Sequence, residues 1–380
     1  MTSWLEDSSD LVDQQGMAKA LRSACVGLGA TSPNPCVGAL ITQQGQVIAR
    51  GGHARVGEAH AEVVALQQAA ERAAHGTVYS TLEPCNHVGR QPACSQALIA
   101  AGVARVVVGM VDPNPQVAGR GIAALRDAGI SVEVGVLTAA CSALNPGYLH
   151  AQREGRARVV LKTATTLEAA LATRAGDSHW ITGPQARRRV HELRARMASV
   201  MVGAGTARHD HPQLNVRLEE PQPWWRQSAS QPKRLVVSRS GRVPVLTAEG
   251  GATWLLSPEP RLDDGFDHRL GITADWHDNL ASLAEQGIHE VLCEGGAGLA
   301  SSLLQAGVVD EWIQMVAPMS LSGSGLPVVV GDGVDTLGQA RRGHLARLEQ
   351  LGQDACLWTV FDQAPSFADQ TALLEALERT

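Results

Sequence analysis

The chain has 380 residues, 44% hydrophobic and 18% charged, and a formal charge of −6; that is too long for one ordinary core, so two folded domains are expected. No basic tail or lysine-rich run is present, which argues against a long phosphate track for nucleic acid. The first twenty residues carry Glu6, Asp7, Asp10 and Asp13 and do not read as a signal or transit peptide, and no apolar run approaches a membrane span. The seven cysteines are scattered and odd in number, unlike a disulfide framework, so a reducing cytoplasm is the expected location.

Asp10 is placed to cap a helix whose apolar residues Met17, Leu21, Ala24, Cys25 and Leu28 recur at three and four positions, ended by Gly27 and Gly29. Ser32-Pro33-Asn34-Pro35 then leads into two apolar runs, 36–41 and 47–50, around a turn at 43–46, which predicts a hairpin. From His60 onward helix and strand alternate: helix 61–73, strand 77–81, helix 92–101, strand 103–109, helix 120–128, strand 131–135. That rhythm predicts a mostly parallel sheet covered by helices.

Within this stretch His60-Ala61-Glu62 opens a helical pattern, and Thr81-Leu82-Glu83-Pro84-Cys85 follows a strand, with Cys94 nine positions on. Zinc that activates water needs three protein ligands and an open fourth position, and a neutral imidazole with two thiolates supplies them while cancelling the metal's charge. His60, Cys85 and Cys94 are the candidate ligands. Glu62 is the candidate proton shuttle, since two residues in a helix's first turn can address the metal and its water separately. His-x-Glu followed by Pro-Cys is the signature of zinc-dependent nucleobase and nucleoside deaminases, although the second cysteine usually follows at Cys-x-x-Cys and here eight residues separate the thiols. Two inert buried thiols, or a structural zinc with His87 as fourth ligand, are the bland alternatives; the His-Ala-Glu element upstream weighs against both. His53, His87 and Arg90 lie near these elements and are candidates for gripping the base and its ribose phosphate.

The polar segment 144–156 breaks the rhythm and places a boundary: residues 1–146 form one domain, 147–157 a linker, 158–365 a second domain and 366–380 a helical tail. In the second domain an apolar strand ends on Lys162, and Thr182 with Pro184 starts a helix running to about Met197. The strand at 199–206 ends in Gly203-Ala204-Gly205, which does not open a clear helix. An exposed loop at 219–232 carries Trp224 and Trp225, strands follow at 234–237 and 253–256, and a helix at about 279–286. Residues 291–293 form a strand that passes through Glu294 and Gly295-Gly296 into a helix, 299–306, whose free amides suit a phosphate. A closing strand is expected at 312–317. The tail helix, with Leu373, Leu374 and Leu377, would dock on either domain or on a neighbour.

Ser32-Pro33-Asn34-Pro35, the insert between Cys85 and Cys94, the run Asp112-Pro113-Asn114-Pro115-Gln116-Val117-Ala118-Gly119-Arg120-Gly121 and the pattern of the second half closely resemble the bifunctional deaminase/reductase of riboflavin biosynthesis, over about residues 10–362. The resemblance implies an α/β fold: a cytidine-deaminase-like domain, a sheet flanked by helices, followed by a dihydrofolate-reductase-like α/β domain. It implies one Zn2+ per chain, NADPH, a small phosphoribosylaminopyrimidine substrate, no nucleic-acid or membrane partner, and a homo-oligomer. The first step would be hydrolytic deamination of 2,5-diamino-6-(5-phosphoribosylamino)pyrimidin-4(3H)-one. The second would be reduction of the ribosyl side chain to 5-amino-6-(5-phosphoribitylamino)uracil. By the resemblance, Asn34, His53 and His87 bind substrate in the first domain, and Lys162, Asp210 and Glu294 surround the reacting ribose in the second. Ser178, Arg194, Leu214 and Arg217 would join Glu294 in contacting substrate. Thr165, Trp180, Thr206, Asp210 and the bend formed by Gly296, Ala297, Gly298, Leu299, Ala300, Ser301 and Ser302 would contact the nucleotide.

Three departures fall in the second half. Thr166-Leu167-Glu168-Ala169-Ala170 stands where the family usually has Ser-Leu-Asp-Gly-Arg/Lys, Asp210-His211-Pro212 replaces Asp-Asp-Pro, and Ser238-Arg239 replaces Asp-Ser. Lys162, Asp210 and Glu294 are present, so an active reductase is expected; the alternative is a second domain that binds substrate or nucleotide without reducing it.

Overall fold

The computed structural model describes residues 10–86, 93–218, 231–246, 249–259, 265–323 and 325–379. These fall into two compact units, one up to Arg153 together with the stretch from Asp369, the other from Glu154 to Ala368.

In the first unit the described residues form a sheet of five strands, β1 (Gly38–Gln43), β2 (Gln46–Gly52), β3 (Thr77–Ser80), β4 (Arg105–Val108) and β5 (Ser131–Val134), in the order β2-β1-β3-β4-β5. The hairpin is antiparallel and β3, β4 and β5 run parallel. Its helices are α1 (Leu11–Ala24), α2 (Ala61–Ala69), α3 (Cys94–Ala100), α4 (Arg120–Asp127), α5 (Thr138–Ala143) and α6 (Pro146–Glu154). Asp10 caps α1 by accepting from the Val12 amide at 3.1 Å. Helix α2 turns the small side chains of Ala61, Ala65 and Ala69 into the core formed with Ala39, Ile41, Val78 and Val106. Small residues let it lie close to the sheet: a Cβ on Gly51 of β2 would stand 2.0 Å from the Ala61 carbonyl oxygen. The start of α2, where His60 and Glu62 sit, is thereby pinned.

The segment expected as a linker, 147–157, contains the boundary between the two units, after Arg153, but most of it is helical. Residues 146–154 are helix α6, and Pro146 through Ala151 are buried. Proline opens the helix, where its missing N–H costs nothing, and the buried face of Tyr148, Leu149 and Ala151 outweighs the polar composition that suggests a linker. The tail docks within its own chain. Gln370 Nε2 donates to the Leu144 carbonyl at 2.9 Å in the first unit.

The second unit contains β6 (Arg158–Thr165), β7 (Ala170–Ala172), α7 (Pro184–Arg196), β8 (Ser199–Gly203), α8 (Ala204–His209), β9 (Lys233–Val237), β10 (Thr253–Ser257), β11 (His268–Gly271), α9 (Trp276–Glu285), β12 (Glu290–Cys293), α10 (Ala297–Gln305), β13 (Glu311–Val316), β14 (Leu326–Pro327), β15 (His344–Leu351), β16 (Asp354–Val360) and the start of α11 (Phe367–Arg379). Nine of the described strands form one sheet, β11-β10-β9-β8-β12-β6-β13-β16-β15, parallel except for the antiparallel β13-β16-β15 end. Both faces of the parallel part are covered, as such a sheet requires. Val160, Val200 and Leu292 pack with Val190 and Leu193 of α7, while Val159, Met201 and Val291 pack with Leu280 and Leu283 of α9 and Leu303 of α10.

The chain leaving β8 continues to β9 on one side, and the chain leaving β12 continues to β13 on the other, beyond β6. Their carboxyl ends therefore flank a switch point, the place where open α/β sheets take ligands. Two local expectations change here. Thr182 does not cap α7; Gly183 does, its amide donating to Asp354 Oδ2 at 2.7 Å, a partner 171 residues away. Gly203-Ala204-Gly205 does open a helix, the short α8.

Candidate metal centre and nucleotide cavity

His60 is the residue just before α2, not inside its first turn, and Glu62 lies within the turn. Cys85 follows β3, and Cys94 is the first residue of α3. The three ligand atoms lie within 4.8 Å of one another: His60 Nδ1 is 3.2 Å from Cys94 Sγ and 3.6 Å from Cys85 Sγ. Among the described residues no further histidine or acidic side chain joins this group; His87 and Arg90 lie outside the described residues. Hydrogen bonds from Cys94 and His60 hold the Cys85 thiol down to about 4, while the Cys94 thiol is pushed up by the proton it shares with Cys85 and by burial. The same bond with Cys85 raises His60. Two sulfurs this close keep one proton between them, and a divalent cation at their focus would hold both as thiolates. A soft donor set of two sulfurs and one nitrogen, with no fourth protein ligand among these residues, fits zinc with one position left for water.

Glu62 is 3% exposed and accepts from Ser80 Oγ at 3.1 Å. Burial raises its pKa. His53 Nδ1 lies 3.1 Å from the Ala59 carbonyl, which can only accept, so that nitrogen carries the proton and Nε2 accepts from Asn34 Nδ2 at 3.2 Å. Burial lowers the His53 pKa. Its ring centroid is 5.4 Å from that of His60, which places Asn34 and His53 beside the ligand group.

Two residues without an assigned role in the sequence hold this centre together. Glu83, 3% exposed, accepts from the Gly121 and Gly119 amides at 2.9 Å and from those of Ile122 and Asp112 at 3.3 Å. It thereby ties the Cys85 loop to the start of α4. Asn145 grips Cys36 on both backbone groups, accepting from its N–H at 2.7 Å and donating to its carbonyl at 2.9 Å. Glu83 stands inside the recognised motif; Asn145 is 109 residues from its partner and nothing local announces it.

In the second unit Arg194 makes a paired bond to Glu294, Nε to Oε1 at 2.6 Å and a terminal nitrogen to Oε2 at 3.0 Å. Lys162 Nζ stands 3.9 Å from Glu294 Oε2. Burial lowers the Lys162 pKa against the pull of Glu294. For Glu294 burial raises the pKa, but the charges of Arg194 and Lys162 outweigh it and the net shift is down. Lys162 lies within β6, which continues to Thr165, and does not end its strand. Among the described residues no hydrogen bond or ion pair joins Asp210 to Lys162 or Glu294; Asp210 is exposed at the end of α8. Arg217 is exposed, its amide donating to His191 Nδ1 at 3.2 Å. Leu214 is buried in the core.

A cavity of about 1120 Å³ opens at the ends of β8, β9 and β12. Thr206, Gly296, Ala297, Gly298, Leu299 and Ser302 line it, and the Gly296 amide donates to Thr206 Oγ1 at 3.2 Å. Ala300 and Ser301 of the expected bend face elsewhere: Ala300 is in the core and Ser301 Oγ accepts from Val330 N at 2.7 Å. Trp180 is 66% exposed with the Arg187 guanidinium 4.7 Å from its ring centre, and Ser178 pairs with His179. Thr165 is buried, its hydroxyl without a partner among the described residues. None of these last five residues lines the cavity.

Fold and site together define a two-domain enzyme, a zinc-dependent deaminase domain followed by a nucleotide-dependent reductase domain. Residues 11–110 match the family model of the cytidine and deoxycytidylate deaminase zinc-binding region, and residues 157–357 that of the RibD C-terminal domain. The chain is 39% identical over 367 residues to the riboflavin biosynthesis protein RibD of Escherichia coli strain K12, covering 92% of this chain and 99% of that protein. With RibD of Synechocystis it shares 38% over 333 residues, 84% and 88% of the two chains. The solved structure of Acinetobacter baumannii RibD, form 2, superposes with a TM-score of 0.84 at 40% identity, covering 92% and 98%. A Thermotoga maritima structure, titled a diaminohydroxyphosphoribosylaminopyrimidine deaminase/5-amino-6-(5-phosphoribosylamino)uracil reductase, superposes at 0.81 with 29% identity, covering 92% and 99%. The chain belongs to the RibD family of riboflavin biosynthesis proteins.

Proposed function

We propose that the two units act in succession on one pyrimidine. The first hydrolyses the amino group of 2,5-diamino-6-(5-phosphoribosylamino)pyrimidin-4(3H)-one, and the second reduces the ribosyl chain of the product to give 5-amino-6-(5-phosphoribitylamino)uracil. The observation that carries this reading is the convergence of His60, Cys85 and Cys94 beside a buried Glu62. Those three side chains would hold the metal, and bound zinc supplies a Lewis acid that brings the pKa of water to about 7. Glu62, whose pKa burial raises, takes the water's proton as its oxygen attacks the amino-bearing carbon. It returns that proton to the nitrogen as the C–N bond breaks and ammonia leaves. Ser80 fixes the orientation of Glu62. His53, locked in one tautomer, turns the Asn34 amide so that its oxygen can accept from the pyrimidine.

In the second unit NADPH supplies the hydride when bound. Lys162 gives up a proton more readily than an exposed lysine and serves the opened sugar as acid, while Arg194 holds Glu294 in place to balance the charge. Asp210, exposed at the end of α8, would complete the group around the sugar. Arg217 is available for the ribose phosphate. The exposed leucines Leu345 and Leu348 on β15 favour a homo-oligomer. The substrate is a small molecule; the acidic balance of the chain speaks against nucleic acid. No helix among the described residues is long and apolar enough to cross a membrane, and the free cysteines favour the cytoplasm.

One assay tests both halves. Ammonia release and NADPH oxidation are followed together on the diaminopyrimidine. Glu62→Gln should keep its zinc and release no ammonia, yet oxidise NADPH when the deaminated intermediate is added. Undiminished deamination by this variant would reject the role of Glu62.

A further inference from the structure

Helix α7 turns one face toward the group around Glu294. His191 and Arg194, three positions apart, are neighbours on that face. Arg194 holds Glu294 with Nε and one terminal nitrogen, and its other terminal nitrogen donates to the Asn215 carbonyl at 3.1 Å. One turn earlier, His191 Nδ1 accepts from the Arg217 amide at 3.2 Å. The helix thus grips both the carboxylate beside Lys162 and the segment that carries Arg217.

That segment depends on such support. Residues 211–217 form neither helix nor strand, and His211 and Leu214 stand at φ 42° and 54°, a region that residues other than glycine keep only when their surroundings impose it. Side chains tie its backbone instead. Gln231 takes both groups of Val216, accepting from its N–H at 2.7 Å and donating to its carbonyl at 3.3 Å, and Arg194 and His191 take the residues on either side. The Arg217 guanidinium donates to Asn215 Oδ1 at 3.0 Å and to Gln213 Oε1, both within the segment, so the fork travels with its backbone.

We infer that His191 is a positioning residue of the reductase domain: by taking the Arg217 amide it sets where the Arg217 fork stands relative to Lys162 and Glu294, and so fixes the reach of the site from the opened sugar to its phosphate. The inference rests on the reading of the second unit as a reductase of a phosphorylated sugar, and deepens it. An acceptor between two arginines has to be neutral. A carboxylate at position 191 would also take the amide, but it would draw Arg194 from Glu294 and Arg217 from an incoming anion. Burial, and then the charges of Arg194 and Arg217, pushes the His191 pKa down to about 4, so the ring keeps the lone pair that the amide uses.

The test uses the full-length, zinc-loaded protein and NADPH oxidation with two substrates, 5-amino-6-(5-phosphoribosylamino)uracil and its dephosphorylated counterpart. The wild type should favour the phosphorylated one in kcat/KM. H191L, which offers the amide no acceptor, should lower that preference about tenfold or more, with the change in KM and not in kcat, as a misplaced contact to a non-reacting part of the substrate implies. H191N, whose amide oxygen falls close to where Nδ1 stands, should restore the preference, and H191Q, which sets its amide one bond further out, should not. That polar pair carries the test if H191L fails to bind NADPH and is therefore unfolded. In an R217A background H191L should add no further loss, because it acts through Arg217. Full preference for the phosphorylated substrate in H191L, equal preference in H191N and H191Q, or losses from H191L and R217A that add, would overturn this inference alone. A wild type indifferent to the phosphate would overturn the role of Arg217 and this inference with it. No NADPH oxidation by the wild type with either substrate would overturn the reductase reading itself.

Discussion

Replacing Glu83 by glutamine tests how the metal centre is held, because it keeps the shape and removes half of the acceptor. Each carboxylate oxygen receives two backbone amides, Gly121 and Ile122 on one, Gly119 and Asp112 on the other. In the amide one of those oxygens becomes an NH2 group that faces two N–H donors, so two buried donors lose their acceptor at about 1–3 kcal/mol each. Losing a negative charge at the start of α4 adds about 0.5 kcal/mol. The total is roughly 2.5–6.5 kcal/mol, a large part of the roughly 5–15 kcal/mol that holds a domain folded, and the first unit should melt about 10 °C lower or more. Glu83 is two residues from Cys85, so zinc should also be lost to a chelator at least about tenfold faster, as loosened support of a metal ligand implies, and ammonia release should fall with it. NADPH oxidation with added deaminated intermediate should persist. A Glu83→Gln protein that keeps the wild-type melting profile and zinc retention would refute this account of the loop.

Gly121→Ala should damage the same loop from the other side, since its Cβ would stand 1.9 Å from the Pro84 carbonyl oxygen; zinc content and ammonia release should both drop, and full activity would show that the loop yields freely. Asn145→Ala removes the side chain that bonds both the N–H and the C=O of Cys36, a loss of about 2–6 kcal/mol, and loosens the loop bearing Asn34. Urea midpoints should fall and KM for the pyrimidine should rise, and a change in neither would count against the clamp. Burial raises the Glu290 pKa to about 7 from 4.5, although its carboxylate accepts from the Ala198 amide. The folded state therefore binds this proton more tightly than the unfolded one. Its contribution, up to about 3 kcal/mol, is fully present below about pH 4.5 and lost as pH rises through about 7. Denaturation of the second unit between about pH 5 and 8 should show that slope, and Glu290→Gln should flatten it; an unaltered slope would assign it to other groups.

Much of the first unit is readable in order. Helix α1 has its Asp10 cap and its three-and-four spacing, and the hairpin has its turn, because those signals lie close together along the chain. The second unit is harder: β15 presents an exposed, mixed pattern, and its pairing with β16 is visible only once the antiparallel end of the sheet is assembled. Helix α6 escapes the sequence for a related reason, since its burial comes from neighbours that composition does not reveal.

His60, Cys85, Cys94 and Glu62 are nameable as candidates from residue types at motif spacing, because a divalent metal and its water accept few donor sets and the chain carries one of them in order. The lysine, arginine and glutamate of the reductase half were likewise nameable from the chain. Which of the nominated nucleotide contacts share a cavity was decided only in three dimensions. Thr206 meets Gly296 across 90 residues, while Ala300 turns into the core three residues after Ala297 faces the cavity. A helix sends successive residues in different directions, and a parallel sheet brings together strand ends that are remote along the chain.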